Sequence, residues 1–261
     1  MIKLVYNEVT KIVAQRRFAA VIVFLAVVAI ASGLFARNLH GPDTEDAMQL
    51  LSNGVSGAVS QLLFPFLFAV VIGDIVAGEL TAGTMKLLLI RPVSRWKIWV
   101  SKLLGAYVVC IAALLFSGLC TYIALGAAVG FGSWSSPATG GIVQSAGLAD
   151  LKAYGLEFIS IFSVISVFLL LSTMVENGTA AVGLCVGLAF VCSVIVPISL
   201  LLKSNWVTYI FFEHWQVAQY AVQANPLPHW NLAESLLDLY AWSVLCITAG
   251  IALFQWKDVR G

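Results

Sequence analysis

The chain alternates long apolar runs with short polar connections, and the runs have the length that a hydrocarbon layer demands. Residues 18–36, 56–77, 103–129, 156–175, 179–202 and 236–256 carry few charges. About 20 apolar residues in a helix cross about 30 Å of hydrocarbon, so the six runs predict six membrane-spanning helices. Helix is the form available to them, because in lipid an unpaired backbone amide finds no water. Pro65 breaks the second run softly, and Pro197 falls near the far end of the fifth. Glu176, Asn177 and Gly178 leave only a tight turn between the fourth and fifth runs, with Gly178 placed to end a helix. Residues 1–17 follow another pattern. Ile2, Val5, Val9, Ile12 and Val13 recur at helical spacing, while Lys3, Glu8, Lys11, Arg16 and Arg17 take other positions. That is the pattern of an amphipathic helix lying in a membrane interface.

The connections differ in character. Residues 37–55 are polar and include Asp43, Glu45 and Asp46; residues 130–155 are rich in Gly and Ser. Residues 203–235 carry Trp206, Tyr209, Phe211, Phe212, Trp215, Tyr220 and Trp230, an aromatic density suited to the outer headgroup level. Residues 78–102 are both basic and apolar. They hold Lys86, Arg91, Arg95, Lys97 and Lys102, yet residues 85–90 form an apolar run. An apolar run in an exposed connection calls for a partner.

Composition sharpens this picture. Of 261 residues, 61% are hydrophobic and 10% charged, against about 45–50% and about 25% in a soluble domain. The mean hydropathy is +0.96. Eleven of the 14 Lys and Arg lie in residues 1–17, in residues 78–102 and after residue 256, leaving Arg37, Lys152 and Lys203 for the other face. The positive-inside rule therefore puts both termini in the cytoplasm and the protein in the cell membrane. No connection is long enough for an independent soluble core, so residues 1–261 form one transmembrane domain. Cys110, Cys120, Cys185, Cys192 and Cys246 all fall within apolar runs and read as small packing groups.

Several chemistries lack their residues. No Gly-Lys pair occurs, so the usual phosphate loop for nucleotide is missing. His40, His214 and His229 fall in connections assigned to the outer face, which leaves no transmembrane haem pair and no Ser-His dyad within a span. No enzyme activity, bound cofactor, metal or nucleic acid is expected of this chain. An ion-driven carrier needs ionisable residues inside its spans. Asp74 is the candidate, although a carboxylate so near the end of a span pairs more cheaply with the basic connection that follows.

Residues 78–102 also carry the punctuation of two short helices. Thr81 or Thr84 can cap one; Met85, Leu88 and Leu89 give it an apolar face suited to a groove; Arg91 stands before Pro92, where it should stop. Ser94 can cap a second, with Trp96 and Trp99 toward the membrane and Lys97 and Lys102 reaching headgroups. Glu79 is placed to bond Arg91 or Arg95.

The run Glu79, Gly83-Thr84, Leu87 to Leu89, Pro92, Ser94-Arg95, Ser101-Lys102 resembles the signature of type-2 ATP-binding-cassette (ABC) permeases. The architecture is similar too: an all-α membrane fold with an N-terminal interfacial helix, six spans, a tight fourth-to-fifth turn and an aromatic outer segment. The resemblance implies the membrane subunit of an exporter, in which two permease subunits pair with two separately encoded ATPase subunits that hold ATP and Mg. Residues 78–102 would be the coupling element, with Glu79, Gly83, Thr84, Met85, Leu88, Leu89, Arg91, Pro92, Ser94 and Arg95 as its working residues. The family's dimer seam uses the first and fifth spans, which places Gly183 and Gly187 of a GxxxG pattern there; a contact within the same subunit is the other reading. Gly126 and Gly130 form a second such pattern. The cargo expected of so apolar a path is amphipathic or hydrophobic, such as an antibiotic peptide, drug or lipid.

Overall fold

The computed structural model describes residues 1–39, 46–54, 63–84, 94–138, 142–202, 213–223, 226 and 230–256. The chain is an all-helical membrane protein. Its helices among the described residues are α1 (Ile2–Val13), α2 (Arg16–Leu39), α3 (Ala47–Gly54), α4 (Phe64–Ile72), α5 (Asp74–Thr81), α6 (Arg95–Val129), α7 (Ala146–Met174), α8 (Gly178–Leu202) and α9 (Leu232–Trp256), with a 3-10 helix at Glu213–Ala221. Among the described residues no strand forms, and Pro137 with Ser145 makes an isolated bridge.

Among the described residues, five helical stretches are long and apolar enough to cross a membrane: Arg16–Asn38, Phe64–Thr81, Arg95–Val129, Ala146–Met174 and Leu232–Trp256. The expected fifth span forms α8, helical over Gly178–Leu202. The other five expected spans are met at full length.

The boundaries teach more than the count. The third span was expected from residue 103, yet α6 starts at Arg95 and runs about 52 Å. No Gly or Pro interrupts residues 95–104, so the short helix expected after Ser94 fuses with the span. Likewise α7 starts at Ala146, because Ala146, Ala149 and Ala153 already bury a helical face ahead of the apolar run. The polar connection after α2 contains α3. In the second span Pro65 sits in the first turn of α4, where its missing N–H leaves nothing unpaired. The break falls instead at Gly73, between α4 and α5. Ser172 of α7 repairs it: its hydroxyl donates to the Gly73 carbonyl at 2.7 Å and accepts from the amides of Val76 and Ala77, each at 3.2 Å.

The central core joins α4, α5, α6 and α7 through Phe64, Phe68, Ile72, Ile75, Leu103, Leu114, Ile161, Ile165 and Phe168. At the far end the 3-10 helix closes against α7. Of the aromatic residues expected at headgroup level, Trp206, Tyr209, Phe211 and Phe212 lie outside the described residues. Trp215 and Tyr220 are buried, the Trp215 ring meets Phe168 edge-on with centroids 6.0 Å apart, and His214 is fully buried beside Trp230. Gly126 and Gly130 also serve a local purpose: the Phe131 ring covers Gly126, and Gly130 adopts φ +107° where α6 ends. The expected cysteine role holds for Cys110, Cys185, Cys192 and Cys246, all free and buried.

Candidate functional site

The end of α5 and the start of α6 flank residues 85–93, and a ring of four charges fastens them together. Glu79 projects from α5 and Lys102 from α6. Lys102 Nζ lies 2.8 Å from Glu79 Oε2, a close ion pair not aligned as a hydrogen bond. It donates to Glu8 Oε2 of α1 at 3.1 Å and to the Ile75 carbonyl at 3.4 Å. Three acceptors therefore surround an ammonium with three donors. Lys11 completes the ring, 2.9 Å from Glu79 Oε1 and 3.2 Å from Glu8 Oε1. Each lysine touches both glutamates, and each glutamate both lysines.

Burial shows how tightly the ring is held. The Lys102 side chain is 0% exposed, Glu8 5% and Glu79 18%, while Lys11 at 41% forms the solvent edge. Burial opposes the charge on Lys11, but Glu79 and Glu8 outweigh it and hold its pKa above the ordinary 10.5. Gly105, three residues after Lys102, makes the approach of α1 possible: a Cβ there would stand 2.9 Å from the Glu8 Cβ.

A second tie lies beside the first. Arg17, at the start of α2, meets Asp74 Oδ2 at 2.8 Å. The Asp74 carboxyl packs against Gly78 and Gly178, where any Cβ would strike it. Asp74 was expected to pair with the basic connection that follows it; its partner comes instead from the N-terminal side. Gly178 opens α8 rather than ending α7, whose last turn closes on extended Val175. The Thr81 hydroxyl lies 2.9 Å from the Ala77 carbonyl and 3.0 Å from that of Glu176, and accepts the Gly178 amide at 2.9 Å, tying α5 to this turn.

Several sequence expectations change here. Glu79 bonds Lys11 and Lys102 rather than Arg95, whose guanidinium donates to the Gln255 carbonyl at 3.1 Å. Lys102 was assigned to headgroups, yet it is the most enclosed cation among the described residues. Trp96 is 43% exposed, but Trp99 is fully buried and covers Gly250 of α9. Thr81 and Thr84 lie at the end of α5, where Gly83 takes φ +67°, the left-handed stop, and the Thr84 hydroxyl donates to the Glu79 carbonyl at 3.3 Å; the helix that either was expected to cap falls outside the described residues. Ser94 holds the expected cap position of α6 in extended conformation, though its hydroxyl makes no cap bond. Met85, Leu88, Leu89, Arg91 and Pro92 lie outside the described residues. Gly183 and Gly187 face away from Ala181, Cys185 and Ala189, the buried side of α8, and a Cβ at either would meet nothing within 4 Å. Among the described residues no neighbouring helix of the same chain reaches them.

Sequence reading missed Glu8 and Lys11 as members of this site. The available signal was an acid and a base three apart on a helix with an apolar face, and a Gly one turn beyond Lys102.

Fold and site together define a multi-pass, all-helical membrane protein whose N-terminal helix is ion-paired to the roots of its most basic connection. The chain belongs to the family described as Protein of unknown function (DUF2705), which matches residues 10–260. It is also similar to a Bacillus subtilis (strain 168) protein described as Uncharacterized protein YhcI, at 27% identity over 205 residues. That match covers 74% of this chain, and the chain spans 64% of the relative's length.

Proposed function

We propose that this chain is the permease subunit of an ATP-driven exporter in the cell membrane, with its termini in the cytoplasm. It pairs with a second permease subunit and with two ATPase subunits that hold ATP and Mg. The observation that carries this reading is the Glu79–Lys102 pair at 2.8 Å. A connection that only joins two spans needs no fixed base. One that receives force from another protein must be rigid where it enters the bundle, or the force is lost in bending.

Other features agree. Residues 79–102 carry the signature described above, with its basic and apolar residues between two anchored stems. The outward Gly183 and Gly187 give α8 a flat strip on which a second subunit can lie closely. An apolar cavity of about 210 Å³ between α2, α3 and α6, bordered by Val28, Phe35, Leu50, Ser117, Thr121 and Leu125, suits a hydrophobic or amphipathic cargo. Asp74 supports no separate ion-driven mechanism, because Arg17 already engages it.

The mechanism is alternating access. ATP closes the ATPase pair, residues 78–102 move as a lever, and the paired bundles reshape the path. The test is Leu88→Asp, which places a charge on the expected docking face. The variant should insert normally and lose co-purification with the ATPase; undiminished co-purification would overturn the proposal.

A further inference from the structure

A buried carboxyl stands in α7 without a counter-ion. Glu157 lies about 17 Å along the helix from Ala146 and about 26 Å from Met174, inside the candidate span. It is 2% exposed, its Oε2 is sealed from solvent without a hydrogen-bond partner, and no ion pair reaches it among the described residues. One turn earlier the Tyr154 hydroxyl is also sealed without a partner, lying against Gly118 of α6. One turn later Ser160 bonds the Trp215 carbonyl at 2.6 Å, so the 3-10 helix closes over this stretch.

Two further acids lie toward this end among the described residues. Asp150 shares the Glu157 face two turns before it and is buried. Asp238 of α9 lies at the same end of the bundle, 3.9 Å from the buried His214 of the 3-10 helix. Lys152 points outward and bonds Gln144. Lys102, the buried basic side chain among the described residues, is at the other end.

We propose that Glu157 is the counter-ion for an ammonium group, the positively charged head of an amphipathic cation. An ionised carboxylate accepts hydrogen bonds and cannot donate them, and isolated charge in such surroundings is strongly disfavoured until a cation arrives. An anion would be repelled by the Glu157 carboxylate itself. A hard divalent ion needs more oxygens than one carboxyl and one phenol provide. An ammonium needs two or three acceptors, and Glu157 with Tyr154 supplies them. Calling this cation the cargo rests on the exporter reading; its binding to the chain does not.

The test is calorimetry of n-decylammonium with the full chain in nanodiscs of neutral lipid, with the heat from empty nanodiscs subtracted. Saturable binding is expected, weakened about tenfold or more by Glu157→Gln. Glu176→Gln, in an exposed turn, should leave it unchanged, and the neutral analogue n-decanol should not distinguish wild type from Glu157→Gln. Equal decylammonium binding to wild type and Glu157→Gln overturns the proposal. Absence of saturable binding overturns it too, and leaves a proton as the occupant of Glu157. Failure of the ATPase partnership would leave this measurement standing.

Discussion

Lys102 and Glu157 are both enclosed by the bundle, and their surroundings are opposite. Lys102 has two carboxylates and a carbonyl within 3.4 Å. Glu157 has no ionic partner among the described residues and one oxygen with nothing to bond. Burying a charge in a low-dielectric interior is tolerated when a partner replaces the lost water. The ring at one end meets that condition within the chain, so it acts as a joint: it fixes α1, α5 and α6 relative to one another and needs nothing further. The carboxyl at the other end is incomplete by the same rule, and an incomplete site is where a ligand belongs.

The largest expected effect is therefore at the joint. Lys102→Met removes the enclosed one of the two shared cations and leaves the largely buried Glu8 and Glu79 with Lys11 alone. Breaking a buried ion pair from one side destabilises by about 3–5 kcal/mol. The measurement is unfolding of the reconstituted chain by denaturing detergent. Adding Glu79→Met to Lys102→Met should recover part of the loss, since a buried pair replaced by apolar side chains is often tolerated. A single variant as stable as wild type would mean that the ring holds nothing.

Lys11 offers a smaller effect and a defined pH window. Its folded-state pKa lies above the ordinary 10.5, so its pairing contributes fully below that value. The contribution fades as pH rises through the raised folded value. With the side chain 41% exposed, the pair behaves as a screened surface pair, worth below about 1 kcal/mol. The stability difference between wild type and Lys11→Met should stay constant from neutral pH to about pH 10 and then shrink. Lys11→Arg should keep its advantage throughout. A wild-type advantage that persisted through strong alkali would show that Lys11 acts through packing, not charge.

Helix existence and membrane crossing were legible in the sequence, because run length and charge scarcity respond directly to hydrocarbon thickness. Boundaries were less so. The start of α6 at Arg95 and of α7 at Ala146 depends on which polar residues tertiary packing will cover, and hydropathy does not record that. Ser94 and Gly83 could be read as punctuation because their roles are local. The partners of Glu79 and Asp74 could not: Lys11 and Arg17 lie more than 50 residues away in sequence, and only the docking of α1 brings them near. Lys102 was misassigned for the same reason. A long basic side chain at a span's end normally reaches headgroups; here Glu8, admitted by Gly105, meets it first. Glu157 was overlooked because it opened an expected span, whereas α7 carries it well inside.

The smallest expected effect discriminates most sharply between the two ends. Glu157→Gln exchanges a carboxyl for an amide of nearly the same shape. If Glu157 were part of an internal pair, as Lys102 is, the change would strand a buried cation and destabilise by several kcal/mol. With no partner to strand, stability should stay within about 1 kcal/mol of wild type, because a buried charge is removed and no bond is lost. The same detergent unfolding assay reads it. A loss as large as that of Lys102→Met would show that Glu157 already has its partner within the fold, and the contrast between a closed joint and an open site would fail.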